Sequence, residues 1–448
     1  MQKKYYQHHF KDKKITIMGL GLLGRGIQVT EFLAKNGAKL TVTDLKSKQE
    51  LAPALKKLSK YSTIRYVLGS HNISDFENID MVVKAAGVPL DSPYILHAQK
   101  KGVDVAMDAS LFVRLAPRVT VVGVTGTRGK SMTASAIYHI LQKNEKKLGC
   151  TVYSGGNLRG KATLPLLAKV QDNDIVVLEL DSWQCQGFGD EKISPHIGVF
   201  TNFMTDHMNY YRNNLKKYFN DKVNIFRYQT QDDLLVIGPS LKREIQKKDV
   251  VGRRVVVNKK IVAQWKMNVV GEHQRENIAY AVEVAQSLGV SLFDIKKAVR
   301  SFPGVEGRLQ YVKTVRGVKI YNDNNATTPE ATTAGLVAVA TKKTKKIILL
   351  AGGNDKNIPL GELVRAIKKY AKVVFLTPGN GTDRLVNECQ TKKVAVFLVR
   401  DLVHGVHEAI HVAKKGDSIL FSPAFTSYGE FANEYERNDA FVKIVKEL

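Results

Sequence analysis

The chain has 448 residues, of which 44% are hydrophobic and 25% charged, with a formal net charge of +26. That length predicts about two to four domains, and the balance is that of a soluble globular protein with no apolar run near the roughly 18 residues that a membrane span needs. The lysines are spread along the chain in short groups such as Lys342-Lys343-Thr344-Lys345-Lys346, with no arginine-rich arm, zinc-finger spacing or RNP-type aromatic motif, so small polyanions rather than nucleic acid are the expected partners.

The N-terminus, Met1-Gln-Lys-Lys-Tyr-Tyr-Gln-His-His9, carries nothing like the apolar core of a signal peptide. Cys150, Cys185 and Cys389 are scattered and odd in number, which fits a reducing cytosol and a cytoplasmic protein. From about 1 to 115, strands alternate with helices. Ile15-Thr-Ile-Met18 reads as a strand, followed by Gly19-Leu-Gly21-Leu22-Leu23-Gly24-Arg-Gly26 and a helix to about Lys35. Leu40-Thr-Val-Thr-Asp44 is a second strand ending in an acid, and Met81-Val-Val-Lys84 a third, followed by Ala85-Ala-Gly87-Val-Pro89. This is a Rossmann-like pattern, a glycine turn for phosphate and a carboxylate for a ribose hydroxyl. A dinucleotide, a nucleotide-diphosphate sugar and a purely structural turn all remain open for it.

The second segment, about 116–309, opens on the most informative run of the chain. Val119-Thr-Val-Val-Gly123-Val-Thr-Gly126-Thr127-Arg128-Gly129-Lys130-Ser131 joins a β-prone stretch to a helix-like one, Met132 to Gln142. Backbone N–H groups at such a turn cradle phosphate oxygens, Lys130 reaches the terminal phosphates, and the Ser131 hydroxyl suits Mg²⁺. The glycines at 123, 126 and 129 are out of register with a plain Walker A, whose first glycine would fall at Val124. Strand Ile175-Val-Val-Leu-Glu179 then delivers a carboxylate suited to Mg²⁺ beside phosphates. His196-Ile-Gly-Val-Phe-Thr-Asn202 leads to Thr205-Asp206-His207, where His207 reads equally as a metal ligand and as a helix-capping or core histidine, with Asp206 the alternative ligand. Lys222 reads as solvated surface among Lys216, Lys217 and Asp221. A less regular, strand-rich patch, Leu234 to Val270, ends at Gly271-Glu-His273-Gln-Arg-Glu-Asn277 and an alanine-rich helix. Pro303-Gly304 and Gly307 mark a hinge.

The third segment, about 310–448, is again α/β, with strands at Ile347–Leu350, Val373–Leu376 and Ser418–Phe421 and a final helix from Gly429 to Leu448. Asn322-Asp323-Asn324-Asn325-Ala326-Thr327-Thr328-Pro329 follows a strand, with Asp323 placed for a ribose and a helix beginning near Pro329. Gly352-Gly353-Asn-Asp-Lys356 is another glycine turn. The fold class is therefore α/β, with three domains in series: a Rossmann-like N-terminal domain (1–115), a central P-loop ATPase-like domain (116–309) and a C-terminal Rossmann-like α/β domain (310–448).

These motifs together resemble the Mur ligases, the ATP-dependent amide ligases of peptidoglycan precursor synthesis, over essentially the whole chain. Thr125-Gly-Thr-Arg-Gly-Lys-Ser131 is similar to TGTNGKS and Glu179-Leu-Asp-Ser-Trp-Gln184 to ELSSFQ. Thr201-Asn202 through Met208 resembles the TN-x-x-x-DHM stretch and Gly271-x-His273-x-x-x-Asn277 resembles GxHNxxN. The ND-x-x-AT, GG-x-x-K, SPA-x-x-S and N-x-x-x-R patterns of its D-glutamate-adding branch are similar to Asn322–Thr327, Gly352–Lys356, Ser422–Ser427 and Asn433–Arg437.

The resemblance implies ATP and Mg²⁺ as cofactors, and UDP-N-acetylmuramoyl-L-alanine and D-glutamate as substrates of a monomer. It implies ATP contacts from Gly126, Thr127, Gly129, Lys130, Ser131, Asn277, Arg308 and Asp323. Ser131, Glu179, His207 and an N-carboxylated Lys222 would serve the metal, with Lys130, Glu179, His207 and Lys222 catalytic. Leu22, Leu23, Asp44, Leu45 and Gly87 would meet the UDP part, and Asn157, Ser182 and Gln184 the muramoyl side. Thr327, Lys356 and Ser427 would bind the amino acid, with Lys356 opposing a carboxylate. The chain departs from the pattern at Arg128 and Asn325, where the family commonly has Asn and Lys, at Met132 and Asp181 in place of Thr and Ser, and at Glu434 in a position often aromatic. A related ligase adding another amino acid, and a basic P-loop NTPase acting on nucleic acid, are the competing functions. The second lacks the Walker B aspartate and sensor motifs it needs.

Overall fold

The computed structural model describes residues 5–22, 24–89, 91–340, 345–427 and 430–448. Leu23, Gly429 and the lysines at 342 and 343 lie outside these. The chain divides into two compact units, Met1–Asn258 with Asn277–Ile295, and Lys259–Glu276 with Lys296–Leu448. No helix among the described residues is long and apolar enough to cross a membrane.

The first unit holds two parallel sheets. Lys14–Met18 (β1), Lys39–Asp44 (β2), Arg65–Leu68 (β3), Met81–Lys84 (β4) and Asp104–Met107 (β5) form the first, in the order β3-β2-β1-β4-β5. All four residues of β4 are buried, as a parallel strand covered on both faces requires. The order reverses beside β1, so the glycine turn after β1 and the Gly87 turn after β4 flank a crevice at the carboxyl edge.

Thr120–Thr125 (β6), Val152–Gly156 (β7), Ile175–Glu179 (β8), Ile197–Phe200 (β9), Leu234–Ile237 (β10) and Arg253–Val256 (β11) form the second sheet, in the order β11-β10-β9-β6-β8-β7. Here β6 lies between β8 and β9, which brings the loops after these three strands to one edge. The patch from Leu234 to Val256 contributes only two strands, with short 3₁₀ turns at Pro239–Leu241 and Lys247–Asp249. Pro239 lacks the N–H that a continuing strand needs, and it ends β10. A single apolar cluster runs through both sheets, from Tyr6 and Phe10 through Leu111, Phe112 and Leu164 to Phe188 and Leu235. Gly187 permits part of this closeness, since a Cβ there would stand 3.1 Å from both Met107 Sδ and Ser110 Oγ.

The second unit is built on Gln310–Val315 (β12), Val318–Asn322 (β13), Ile347–Gly352 (β14), Ala371–Thr377 (β15), Phe397–Leu398 (β16) and Ser418–Phe421 (β17), in the order β12-β13-β17-β14-β15-β16. Only β12 and β13 are antiparallel, joined through Arg316 and Gly317, both at positive φ as a two-residue hairpin turn demands. The helix Pro329–Val339 starts at Pro329, with the Thr328 hydroxyl as its cap. The last helix, Glu434–Glu447, starts later than the sequence pattern suggests. The Asn433 side chain sets that start by accepting from the Tyr435 and Glu436 amides, both at 3.0 Å.

Arg437 on that helix is buried, and burial lowers its pKa to about 10, so it stays charged at neutral pH. Its Nε donates to Asn324 Oδ1 at 2.8 Å, Nη2 to Asn324 O at 3.1 Å and Nη1 to Phe425 O at 3.4 Å. It therefore ties the loop after β13 to the loop after β17. Arg437→Met leaves three buried acceptors short of a donor, and is expected to cost about 3 kcal/mol. Urea unfolding of the two proteins measures it, and a loss under about 1 kcal/mol would show that the acceptors find other partners.

Candidate active site

The phosphate loop follows from where its glycines fall. Gly123 lies inside β6, where a Cβ would overlap the Pro195 ring, so it serves packing rather than the loop. This is the structural origin of the register that departs from a Walker A. Gly126 (φ +143°) and Gly129 (φ +85°) form the turn itself. A Cβ on Gly126 would overlap Thr201 Oγ1, and one on Gly129 would overlap Asn277 Oδ1. Gly129 is the left-handed cap of the helix Lys130–Gln142, which buries Met132, Thr133, Ala136, Ile137, Ile140 and Leu141 along one stripe. Met132 thus substitutes for threonine on a face turned into the core.

The segment after β9 grips this loop. Thr127 N donates to Asn202 O at 2.9 Å, Arg128 N to Asn202 Oδ1 at 2.9 Å, and the Thr201 hydroxyl to Arg128 O at 2.6 Å. The Thr127 hydroxyl accepts from Met204 N at 3.0 Å. Lys130 folds back, its Nζ donating to Gly126 O at 3.0 Å and Thr127 O at 3.1 Å. The Ser131 hydroxyl donates to Glu179 Oε1 at 3.0 Å, and Glu179 is buried at the end of β8. The Arg128 guanidinium is exposed and pairs with Asp206 Oδ2 at 3.6 Å.

Lys222 is not the surface residue its neighbours suggest. The helix Leu215–Val223 buries only Tyr218 and Lys222, four residues apart on one face, while Lys216 and Lys217 face solvent. Lys222 Nζ donates to Gly126 O at 2.9 Å, lies 3.4 Å from Thr125 Oγ1, and stands 4.9 Å over the Tyr218 ring. Burial first, and then the Lys130 charge, push its pKa down to about 7. His207 adopts φ +55°, with its ring 5.0 Å from that of Trp183 and 6.0 Å from that of Tyr218. Burial lowers its pKa. Tyr218 lies outside the sequence motifs, whereas Trp183 falls within the Glu179–Gln184 stretch. The spacing of Tyr218 from Lys222 was the available signal.

Among the described residues no three His, Cys, Asp or Glu side chains cluster as a metal cage. Mg²⁺ does not need one, because it takes one or two protein oxygens and completes its shell with water and phosphate. The Ser131 hydroxyl facing the Glu179 carboxylate is such an oxygen pair. His207 and an unmodified Lys222 present only nitrogens, so a second Mg²⁺ fits there only if Lys222 carries a carboxylate.

In the first sheet, Asp44 is buried and occupied: Oδ2 accepts from Gly21 N at 3.0 Å and Oδ1 from Lys46 N at 2.9 Å. It holds the glycine turn in shape. Leu22, next to Gly21, and Leu45, next to Asp44, are exposed, as is Gly87, and Leu23 lies outside the described residues. After β7, Asn157 N donates to Glu179 O at 2.6 Å. Ser182 and Gln184 are buried, and Gln184 closes a capping box with Asp181, which explains the aspartate at that position.

The second unit gathers the remaining candidates. Lys356 Nζ donates to Thr327 Oγ1 at 3.2 Å, and a bridge between Asn354 and Thr426 holds the Gly352–Lys356 turn beside the loop after β17 that carries buried Ser427. Arg308 is exposed. Asp323 is turned inward rather than toward a ribose: its carboxylate accepts from Leu309 N and from the Ser422 hydroxyl, both at 2.9 Å.

Three family models match this architecture: the Mur ligase MurD-like N-terminal domain over residues 13–107, the Mur ligase middle domain over 124–251, and the Mur ligase glutamate ligase domain over 307–425. A UDP-N-acetylmuramoylalanine–D-glutamate ligase of Borreliella afzelii (strain PKo) is 31% identical over 459 residues, covering 98% of each chain. One of Roseiflexus sp. (strain RS-1) is 34% identical, covering 97% of this chain and 98% of its own. The chain belongs to the Mur ligases, in the MurD-type branch. Among solved structures, this Mur ligase shares its fold with the MurC ligase of Thermotoga maritima (TM-score 0.61, 20% identity, 97% and 99% of the two chains). It also shares it with the MurF ligase of that organism, solved with ADP (TM-score 0.55, 17% identity, 98% and 96%).

The buried Asp323 of this ligase gives a pH signature. Burial raises its pKa to about 7, against about 3.9 in an unfolded chain. Between those values the folded state holds the extra proton, so this group's contribution to stability is greatest at low pH and is lost as pH rises through about 7. Asp323→Asn, which keeps an acceptor for Leu309 N, is expected to flatten that fall. Urea midpoints measured from pH 4.5 to 7.5 test it, and parallel pH profiles for the two proteins would refute it.

Proposed function

We propose that this Mur ligase adds D-glutamate to UDP-N-acetylmuramoyl-L-alanine in the cytoplasm, at the expense of ATP. The observation that carries the reading is the Gly126–Ser131 loop, with a lysine of lowered pKa buried against its Gly126 carbonyl. The names of the full-length relatives supply the substrates.

In this reading the loop amides and Lys130 hold the triphosphate, with Asn277 packed on Gly129. The substrate's alanyl carboxylate attacks the γ-phosphorus, and ADP departs. The D-glutamate amine then attacks the acyl carbon of the acyl phosphate, and phosphate leaves. Mg²⁺, when bound at Ser131 and Glu179, neutralises phosphate charge. Lys130 leaves its two carbonyl acceptors for the phosphate as charge builds there. Lys222, near neutrality as an amine, is nucleophilic enough to take up CO₂, and the resulting carbamate supplies the oxygen that its site with His207 otherwise lacks. Lys356, with Thr327 and Ser427, receives the carboxylates of the incoming amino acid. Leu22, Leu45 and Gly87 face the nucleotide, and Asn157 the muramoyl portion. Positioning and charge neutralisation carry most of the rate.

ADP release with UDP-N-acetylmuramoyl-L-alanine and a panel of D- and L-amino acids is expected to depend on D-glutamate. Release with another amino acid alone would reassign the acceptor, which Glu434 makes worth testing. Stripping CO₂ from the buffer is expected to lower turnover, and bicarbonate to restore it, with Lys222→Met inactive under both conditions. Turnover indifferent to CO₂, in a protein whose intact mass shows no carbamate, would remove Lys222 from the metal site.

A further inference from the structure

A contact joins the first glycine turn to the loop after β7, and the phosphoryl chemistry above does not account for it. Arg25 is the first residue of the helix Arg25–Lys35, following Gly24, which caps it in the left-handed conformation. That position faces unpaired N–H groups at the positive end of the helix dipole, where an acid or a hydroxyl is favoured and a cation is not. This helix has no side-chain cap and no acid in its first turn. The guanidinium reaches away instead. Its Nη2 donates to Asn157 Oδ1 at 2.9 Å and to Leu158 O at 3.4 Å.

The same helix grips this loop again one turn on. Gln28 Nε2 donates to Gly160 O, and Gln28 Oε1 accepts from Ala162 N at 3.0 Å. The far end of the loop is fixed by buried Asp108, which accepts from Leu164 N at 2.7 Å and from Thr163 N at 2.9 Å. Gln28 and Asp108 already anchor the loop backbone, so Arg25 adds what they lack, a grip on the Asn157 side chain. Its own Nε is buried without a hydrogen-bond partner among the described residues, so the side chain is not placed there to satisfy its donors.

We propose that Arg25 is a positioning residue for the UDP-linked substrate: it fixes the Asn157 side chain against the glycine turn, so that the nucleotide and sugar portions are read as one ligand. This rests on the functional reading above, in which the turn takes the nucleotide and Asn157 the muramoyl portion.

Arg25→Met keeps the apolar stem and removes every donor. It is expected to raise KM for UDP-N-acetylmuramoyl-L-alanine about tenfold, the loss of one charged hydrogen bond, with KM for ATP and kcat changed by less than about twofold. Arg25→Lys, which reaches one acceptor, falls between. The thermal midpoint changes little, because removing a cation from the helix N-terminus offsets the lost contact. An unchanged KM for the UDP substrate overturns the proposal. So does a lowered midpoint with all KM values rising together, the mark of a merely structural residue. Binding of the UDP substrate measured without ATP or amino acid separates the two levels. Wild type that binds but does not ligate D-glutamate refutes the assigned reaction, while weaker binding by Arg25→Met still upholds Arg25. Wild type that does not bind overturns both.

Discussion

A lysine held out of water against the Gly126 carbonyl is the constraint around which the first unit is arranged. A buried ammonium without a carboxylate partner is costly, and proteins keep one only where the surroundings are fixed. Here the fixing groups are Gly126 O, Thr125 Oγ1 and the Tyr218 ring. Those contacts require the loop after β6 to take one shape, which the segment after β9 enforces through Thr201, Asn202 and Met204. They also require the helix Leu215–Val223 to turn its one apolar-and-basic face inward. The rings of Trp183 and Tyr218 pack against His207, and those of Tyr210 and Tyr211 extend the aromatic cluster around them.

The two sheets of the first unit share an apolar core, and that sharing gives the first glycine turn and the Gly126–Ser131 loop a common frame. The helix Asp108–Leu115 leads from the first sheet to the second and buries most of its residues. Hydrogen bonds from the Thr163 and Leu164 amides to Asp108 bring the loop after β7 into the same frame. Burial and these bonds act in opposite directions on Asp108, and burial prevails, so its pKa is raised. In the second unit, buried Arg437 and Asp323 do a comparable task with polar groups, adding side-chain bonds between the loops after β13 and β17 to the backbone bond from Ala424 N to Ala326 O.

Strands such as β1, β2, β4, β8 and β14, the glycine turns and the phosphate loop were legible in the sequence because each has a period or a residue type that local sterics demand, whereas β3, β5, β7, β12 and β16 were not read from it. The positions of Glu179 and Ser131 followed from strand and helix ends. What was not legible depended on burial. Lys222 sits among charged neighbours, and only its four-residue spacing from Tyr218 separates the inward lysine from the outward ones. Asp323 and Asp44 looked free for a ribose because a sequence does not show which backbone amides will come to meet a carboxylate. Gly123 looked like a loop glycine, and its reason, the Pro195 ring, lies on a distant segment. Arg25 drew no notice because its partner Asn157 is remote in sequence.

The Gly126 carbonyl oxygen accepts from two ammonium groups, Lys130 at 3.0 Å and Lys222 at 2.9 Å. A carbonyl has two lone pairs, so both can be served at once. The redundancy matters in the proposed reaction, where Lys130 turns to the phosphates. The oxygen then keeps one donor, whether Lys222 is an amine or a carbamate, since each retains an N–H. The loop can then release its Lys130 ammonium with the Gly126 carbonyl still held.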